Sequence, residues 1–212
     1  MSTAQGAVVV QQPEGAAEHL FLLFHGVGSD APNLAPLGRT LAQAFPRAAV
    51  ISVAAPHVSD FGSGRQWFSV SGVTEANRLA RVEAAMPAFA ATVREWQARF
   101  GVGPQATTLV GFSQGSIMAL ESARLGQALA GRIVAFAGRF SVLPQQAPPD
   151  TTLHLIHGEA DPVIPAAQTR IAAERLRVLG ADVTADFFPS AAHEITPDMQ
   201  RSMIDRLTRR VL

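Results

Sequence analysis

Short apolar runs alternate along the chain with longer stretches in which apolar residues recur every three or four positions. The short runs are Ala7 to Val10, His19 to Phe24, Val50 to Ala54, Thr107 to Gly111, Arg132 to Ala137, Thr152 to His157 and Val183 to Phe188. Most of the later runs are unbroken sequences of apolar or β-branched residues, the pattern of strands covered on both faces. Helical periodicity begins at about Pro32 and continues to Phe45, with Leu34, Leu37, Leu41 and Phe45 on one stripe. A second helix is predicted from about Thr74 to Phe100, carrying Leu79, Val82, Met86, Phe89, Val93, Trp96 and Phe100; Pro87 inside it predicts a kink or a division. A third follows Ser113 and carries Ile117, Leu120 and Leu125, and a fourth spans about Pro165 to Leu179. The last starts near Thr196-Pro197, a capping residue followed by proline at the first helical position, and carries Met203, Ile204 and Leu207.

This alternation predicts a three-layer α/β fold with a largely parallel sheet flanked by helices. No linker, repeat or low-complexity tract divides residues 1–212, so one domain is expected. The proline-rich patch at 144–149 lies between two strand candidates and reads as a loop. His57 to Val73 breaks the rhythm: rich in Gly and Ser but holding Trp67 and Phe68, it reads as an ordered loop with aromatic anchors. In parallel sheets of this kind ligands bind beyond the carboxyl ends of the strands, so chemistry is expected just after each strand.

Composition narrows the chemistry. Lys plus Arg and Asp plus Glu are both 17, giving a formal net charge of zero, with no basic stripe of the kind that holds nucleic acid. The chain has 0 cysteines, which removes a thiol nucleophile, a thiolate metal site and a redox pair. Met1 to Gln5 carries no basic residue and the block Leu20 to Phe24 is far too short to span a bilayer. A cytoplasmic location without a transmembrane segment is therefore expected. Oligomeric state, monomer or homodimer, is not readable from the sequence.

Residues 109–118 read Leu-Val-Gly-Phe-Ser-Gln-Gly-Ser-Ile-Met. Gly111-x-Ser113-x-Gly115 follows a strand and opens a helical pattern, the context in which this motif holds a nucleophile. The turn from strand to helix strains Ser113 and exposes its hydroxyl, and the flanking glycines let neighbouring backbone come close. The amides and positive end of the following helix point at the site and favour a negative oxygen there.

A serine alcohol needs a base, normally a histidine oriented by a carboxylate, and in this architecture the order is Ser, acid, His. The acid candidate is Asp161, in His157-Gly158-Glu159-Ala160-Asp161-Pro162, where Pro162 restricts it to extended geometry; Glu159 is the rival in the same loop. The base candidate is His193, after the last strand and before the last helix. Of the other histidines, His154 is expected packed or facing the surface within its strand, His157 to support the Asp161 loop, and His19 to be superficial. His57 is on the correct side of the sheet but precedes the nucleophile in the chain. A strand also runs into His25-Gly26-Val27-Gly28, where a second oxyanion amide is expected: the backbone N–H of Val27, paired with that of Gln114, with His25 holding the loop. Candidate substrate-binding residues are Trp67, Phe68 and Arg139. The aromatic pair is either a pocket wall or core, and Arg139 either binds a carboxylate or closes a salt bridge.

These stretches, with Gly64-Arg65-Gln66-Trp67-Phe68-Ser69 between them, arrive in the order found in a known family. The sequence resembles the phospholipase/carboxylesterase family of small α/β-hydrolases, which includes acyl-protein thioesterases, and most resembles a bacterial esterase branch. The resemblance covers about residues 19–210. It implies Ser113, Asp161 and His193 as the triad, the Val27 and Gln114 amides as the oxyanion hole, a minimal fold without a large lid, and cleavage of small-molecule carboxylic esters or thioesters through an acyl-enzyme. No metal or cofactor is called for. Two departures stand out: Ala192 replaces the glycine often found before the catalytic histidine, and Gly138-Arg139-Phe140 replaces the small Ser-Gly pair common in the thioesterases. Other reactions on the same fold (amide, lactone or peptide hydrolysis) and a catalytically silent binding protein are the competing expectations.

Overall fold

The computed structural model describes residues 6–209. Met1 to Gln5, the start that carries no basic residue, lies outside them. The strands are β1 (Val8–Gln11), β2 (His19–Phe24), β3 (Ala48–Val53), β4 (His57–Val58), β5 (Arg65–Gln66), β6 (Thr107–Phe112), β7 (Arg132–Phe136), β8 (Thr152–Gly158) and β9 (Val183–Phe188). The helices are α1 (Ala35–Ala44), α2 (Glu75–Phe100), α3 (Gln114–Ser122), α4 (Ala166–Val178) and α5 (Pro197–Thr208). A seven-stranded sheet runs in the order β1-β3-β2-β6-β7-β8-β9. Only β1 is antiparallel to its neighbour; all the other pairs in it are parallel.

The unbroken apolar strands follow from helices on both faces. Along β2, Leu20, Leu22 and Phe24 point to one side, where Val82, Met86, Phe89, Val93 and Trp96 of α2 and Ile117 and Leu120 of α3 complete a core. Phe21 and Leu23 point to the other, against Leu37 and Leu41 of α1 and Met199, Met203 and Leu207 of α5. Successive side chains of a strand alternate faces, so a strand buried on both must be apolar at every position. No helix among the described residues is long and apolar enough to cross a membrane.

Three local expectations need correction. Pro87 does not divide α2, which is one helix of 26 residues. Pro87 and Glu83, whose carbonyl loses its helical partner to the proline, are both exposed, so water can satisfy that carbonyl. The first helix splits into a 3-10 turn, Ala31–Leu34, and α1, because Pro36 occupies the start of the α-helical part, where its missing N–H costs nothing. The third helix stops at Ser122, so Leu125 lies beyond it, in turns closed by Arg124 N–H on Glu121 and Leu125 N–H on Ser122. The loop from His57 to Val73 is ordered, and it contains the small β4–β5 hairpin.

Candidate active site

The parallel register brings the ends of β2, β6, β7 and β8 to one edge, with Phe24 beside Gly111, Phe112 beside Phe136 and Phe136 beside Ile156. Ser113 follows β6 directly and caps α3 with φ 53° and ψ −114°. Positive φ in a residue with a Cβ is strained, and it is tolerated where surrounding structure over-determines it. Here the Ser113 N–H donates to the carbonyl of Phe136 at 3.0 Å and its own carbonyl accepts from Ile117 at 3.0 Å. The flanking glycines are sterically required. A Cβ on Gly115 would lie 2.0 Å from the carbonyl oxygen of Phe24, and one on Gly111 2.5 Å from the backbone of Ser116.

Asp161 and His193 come from the loops after β8 and β9, which the backbone ties together. Glu159 N–H donates to Phe188 at 2.9 Å and Ala160 N–H to Ala191 at 3.0 Å. His193 Nδ1 lies 2.7 Å from Asp161 Oδ2, and its Nε2 lies 2.9 Å from Ser113 Oγ. An ionised carboxylate only accepts, so Nδ1 carries the proton and Nε2 presents a lone pair to the serine hydroxyl. That tautomer can take the serine proton. The ring of Phe112, the variable residue before Ser113 in the motif, packs on the His193 imidazole with centroids 5.0 Å apart. Nothing in the sequence marks this contact except an aromatic beside the nucleophile. Ala192 is not among the residues with positive φ, so its Cβ costs no backbone strain.

The carboxylate of Asp161 receives three N–H groups, Val163 at 2.8 Å and Ile164 at 2.9 Å on Oδ1 and His193 on Oδ2, and His157 Nε2 stands 3.2 Å from Oδ2. Burial raises its pKa, but the hydrogen bonds from His193, Ile164 and Val163 outweigh burial and hold the carboxyl below its usual range. It is therefore ionised at neutral pH. His157 is driven the other way. Burial lowers its pKa, so it stays neutral; its Nε2–H donates to the Ile164 carbonyl at 2.8 Å and Nδ1 faces the Thr169 hydroxyl at 2.7 Å. It supports the acid loop, as its place at the end of β8 suggests. The rival, Glu159, is 36% exposed and ion-paired to Arg170, whereas the Asp161 side chain is fully buried against His193.

The remaining expectations divide. His25 is buried in the loop after β2, its Nδ1–H on the Gly26 carbonyl at 2.7 Å and its Nε2 accepting from Ala55 N–H at 3.0 Å, so it holds the loop. Among the described residues, no hydrogen-bond acceptor takes the backbone N–H of Val27 or of Gln114. A Cβ built on Gly26 would lie 3.2 Å from that of Ser113, which places this loop against the nucleophile. Trp67 and Phe68 are both buried in the core cluster under α2. Arg139 makes two hydrogen bonds to Glu75 at the start of α2, at 3.0 and 2.7 Å, which is the salt-bridge alternative. These bonds hold the Glu75 carboxyl below its usual pKa. His57 is exposed on β4. His154 is packed, the first of its two alternatives, whereas His19, expected to be superficial, is half-buried; burial lowers the pKa of each to about 4, with Arg132 adding to the effect.

Taken together, a strained serine, an imidazole hydrogen-bonded to it and a buried ionised carboxylate behind the imidazole are equipped for nucleophilic acyl transfer. Known proteins agree. Esterase YpfH of Escherichia coli strain K12 is 48% identical over 199 residues, covering 94% of this chain and 86% of that protein. The crystal structure of esterase PE8 superposes with a TM-score of 0.83 at 32% identity, covering 92% of this chain and 95% of that one. Acyl-protein thioesterase 1 of Gibberella zeae is 30% identical over 106 residues, 46% of this chain and 45% of that protein. The sequence profile of the Phospholipase/Carboxylesterase family matches residues 5–210, and with the triad geometry it makes this chain a serine hydrolase belonging to that family of α/β-hydrolases.

Proposed function

We propose that the protein hydrolyses small-molecule carboxylic esters. The observation that carries this reading is the unbroken hydrogen-bond chain Ser113–His193–Asp161, at 2.9 and 2.7 Å. Ser113 attacks the ester carbonyl while His193 Nε2 takes its proton, and the same proton then goes to the departing alkoxide. Water, deprotonated by His193, attacks the resulting acyl-serine and frees the acid. The N–H groups of Val27 and Gln114 form the oxyanion hole; their support is the lack of an internal acceptor and the position of both beside Ser113. The helix that starts at Gln114 adds its positive end to the same place. Arg139, already paired with Glu75, serves as a structural cation.

Esters rank first because both full-length relatives, YpfH and PE8, are named esterases. Thioesters are the second reading, favoured by the partial likeness to a protein named acyl-protein thioesterase. The test is intact-mass analysis after a fluorophosphonate probe, with and without Ser113→Ala, followed by turnover of matched esters, thioesters and amides. One adduct on the wild type, absent from the variant, with ester turnover leading the panel is the expected result. A folded wild type that takes no adduct would refute the reading.

A further inference from the structure

The segment Gly64 to Phe68 is attached to both halves of the oxyanion hole. On one side it braces the loop after β2. Gly28 N–H donates to the Arg65 carbonyl at 2.9 Å and Arg65 N–H returns to Ser29 at 2.7 Å, so the loop and the hairpin pair as a short bridge. The approach is so close that a Cβ on Gly64 would lie 2.1 Å from the Gly28 carbonyl oxygen. The Arg65 guanidinium then reaches the Ala55 carbonyl, and Pro56 at 2.7 Å, next to the Ala55 N–H that fixes His25.

Trp67 links this side to the other. Its indole N–H donates to the carbonyl of His25 at 2.9 Å, two residues before Val27. Its backbone N–H donates to the side-chain carbonyl of Gln114 at 2.8 Å. The Gln114 side-chain NH2 donates in turn to the Phe68 carbonyl at 2.7 Å. Gln114 is thus held at both ends of its amide, like a residue paired across a strand. The indole itself is locked between Phe24 and Phe89, with centroids at 5.4 and 5.7 Å and both pairs edge-on. The indole is part of the core, and a phenylalanine would fill much of the same space. The polar group a tryptophan adds is one N–H, and that N–H goes to the oxyanion loop.

We propose that Trp67 and the Gln114 side chain are positioning residues that set the distance between the Val27 and Gln114 amides. The inference rests on those two amides being the oxyanion hole. An oxyanion donor works only within hydrogen-bond distance of the tetrahedral oxygen, and small misplacements of catalytic groups are costly. Two loops that leave different strands drift independently unless something fixes one against the other. Trp67 does so by bonding to both, and it acts on the transition state rather than on substrate capture.

The test uses the full chain carrying Trp67→Phe or, separately, Gln114→Met, with a p-nitrophenyl ester of a short acid as substrate. Active sites are counted by stoichiometric fluorophosphonate labelling, so that kcat refers to assembled sites only. Expected for each variant is a fall in kcat per site of about 10- to 100-fold, less than the loss of a whole oxyanion donor. KM should stay within about threefold, because uniform binding is not what is lost. Inhibition by an alkyl boronic acid, which places a tetrahedral oxygen in the hole, should weaken by the same factor as kcat. Inhibition by the product alcohol should not change. A kcat per site within about twofold of wild type in both variants overturns the inference, leaving the contacts to fold stability alone. A raised KM at unchanged kcat also overturns it and makes Trp67 a pocket wall. Should Trp67→Phe fail to fold, Gln114→Met decides alone, because it cuts the other half of the tie without emptying the core. A wild type that takes no phosphonate overturns the ester reading itself, an outcome seen before any variant is made.

Discussion

Replacing Asp161 by Asn removes one charge and almost no volume, yet three donors converge on that carboxylate. The new NH2 group must replace one acceptor. On the Oδ1 side it would oppose the backbone N–H groups of Val163 and Ile164, at 2.8 and 2.9 Å, which cannot turn away. On the Oδ2 side it meets His193, at 2.7 Å, and that imidazole can move its proton to the other nitrogen. The amide therefore settles on the Oδ2 side and His193 becomes the Nε2–H tautomer. That nitrogen now offers Ser113 a proton instead of a lone pair. A triad with its histidine in the wrong tautomer loses about 10⁴ in kcat, or about 5.5 kcal/mol of barrier. Stability should fall by a further ~1–3 kcal/mol, the range for a buried hydrogen-bonding group left mismatched. Steady-state ester hydrolysis per titrated site, alongside urea unfolding, measures both. A loss of activity under about tenfold in a folded protein would refute the argument, because it would mean that Asp161 does not set the tautomer. Attention would then pass to Glu159, despite its ion pair with Arg170.

Ser113→Gly should be more stable than Ser113→Ala by about 1 kcal/mol, a Tm difference of about 2–4 °C, because only glycine relaxes at φ 53°; equal melting temperatures would deny the strain. Gly115→Ala should cost about 3 kcal/mol or more, since its Cβ would stand 2.0 Å from the Phe24 carbonyl oxygen, and calorimetry should show a large drop in Tm or no folded protein. His19 and His154 stay neutral in the fold down to about pH 4, while the unfolded chain takes up protons from about 6.5, so stability is complete above pH 6.5 and declines toward pH 4 by up to about 3 kcal/mol for each. Urea titrations across that range should show a shallower decline in His154→Gln; an unchanged slope would place its titration elsewhere.

The legible parts of this protein share a physical cause. A strand buried on both faces must be apolar throughout, so β2, β6, β7 and β8 announce themselves as runs, with ends within a residue of those observed. The chemistry of a parallel sheet collects at strand ends, so the residues after those runs are where it is expected. Ser113 is further marked by glycines that the Phe24 and Ser116 backbones make obligatory. Boundaries slipped where the deciding fact was exposure. Pro87 reads as a breaker, but it lies on the solvent side of α2, where a lost helical bond is cheap. His19 reads as surface and His154 as either packed or surface-facing, because a period-two pattern does not reveal whether a helix covers the polar face.

What stayed illegible is contact between side chains and distant backbone. Arg139 finds Glu75 across 64 residues, and Trp67 finds Gln114 across 47 and His25 across 42. None of these pairings has a period or a spacing, so no local rule could separate a pocket wall from a brace at Trp67, or a ligand cation from a structural one at Arg139. The two kinds of information also divide the mechanism. The groups that make and break bonds lie on turns whose shape is encoded within a few residues. In the proposed mechanism, the precision with which the Val27 and Gln114 amides face each other depends on loops that leave β2, β3 and β6 separately and meet at Trp67, whose indole N–H holds one and whose backbone N–H holds another. A hydrolase of this family can therefore carry a complete triad and still differ greatly in rate. The difference would lie in residues such as Trp67 and Gln114, whose side chains touch no substrate in the proposed mechanism.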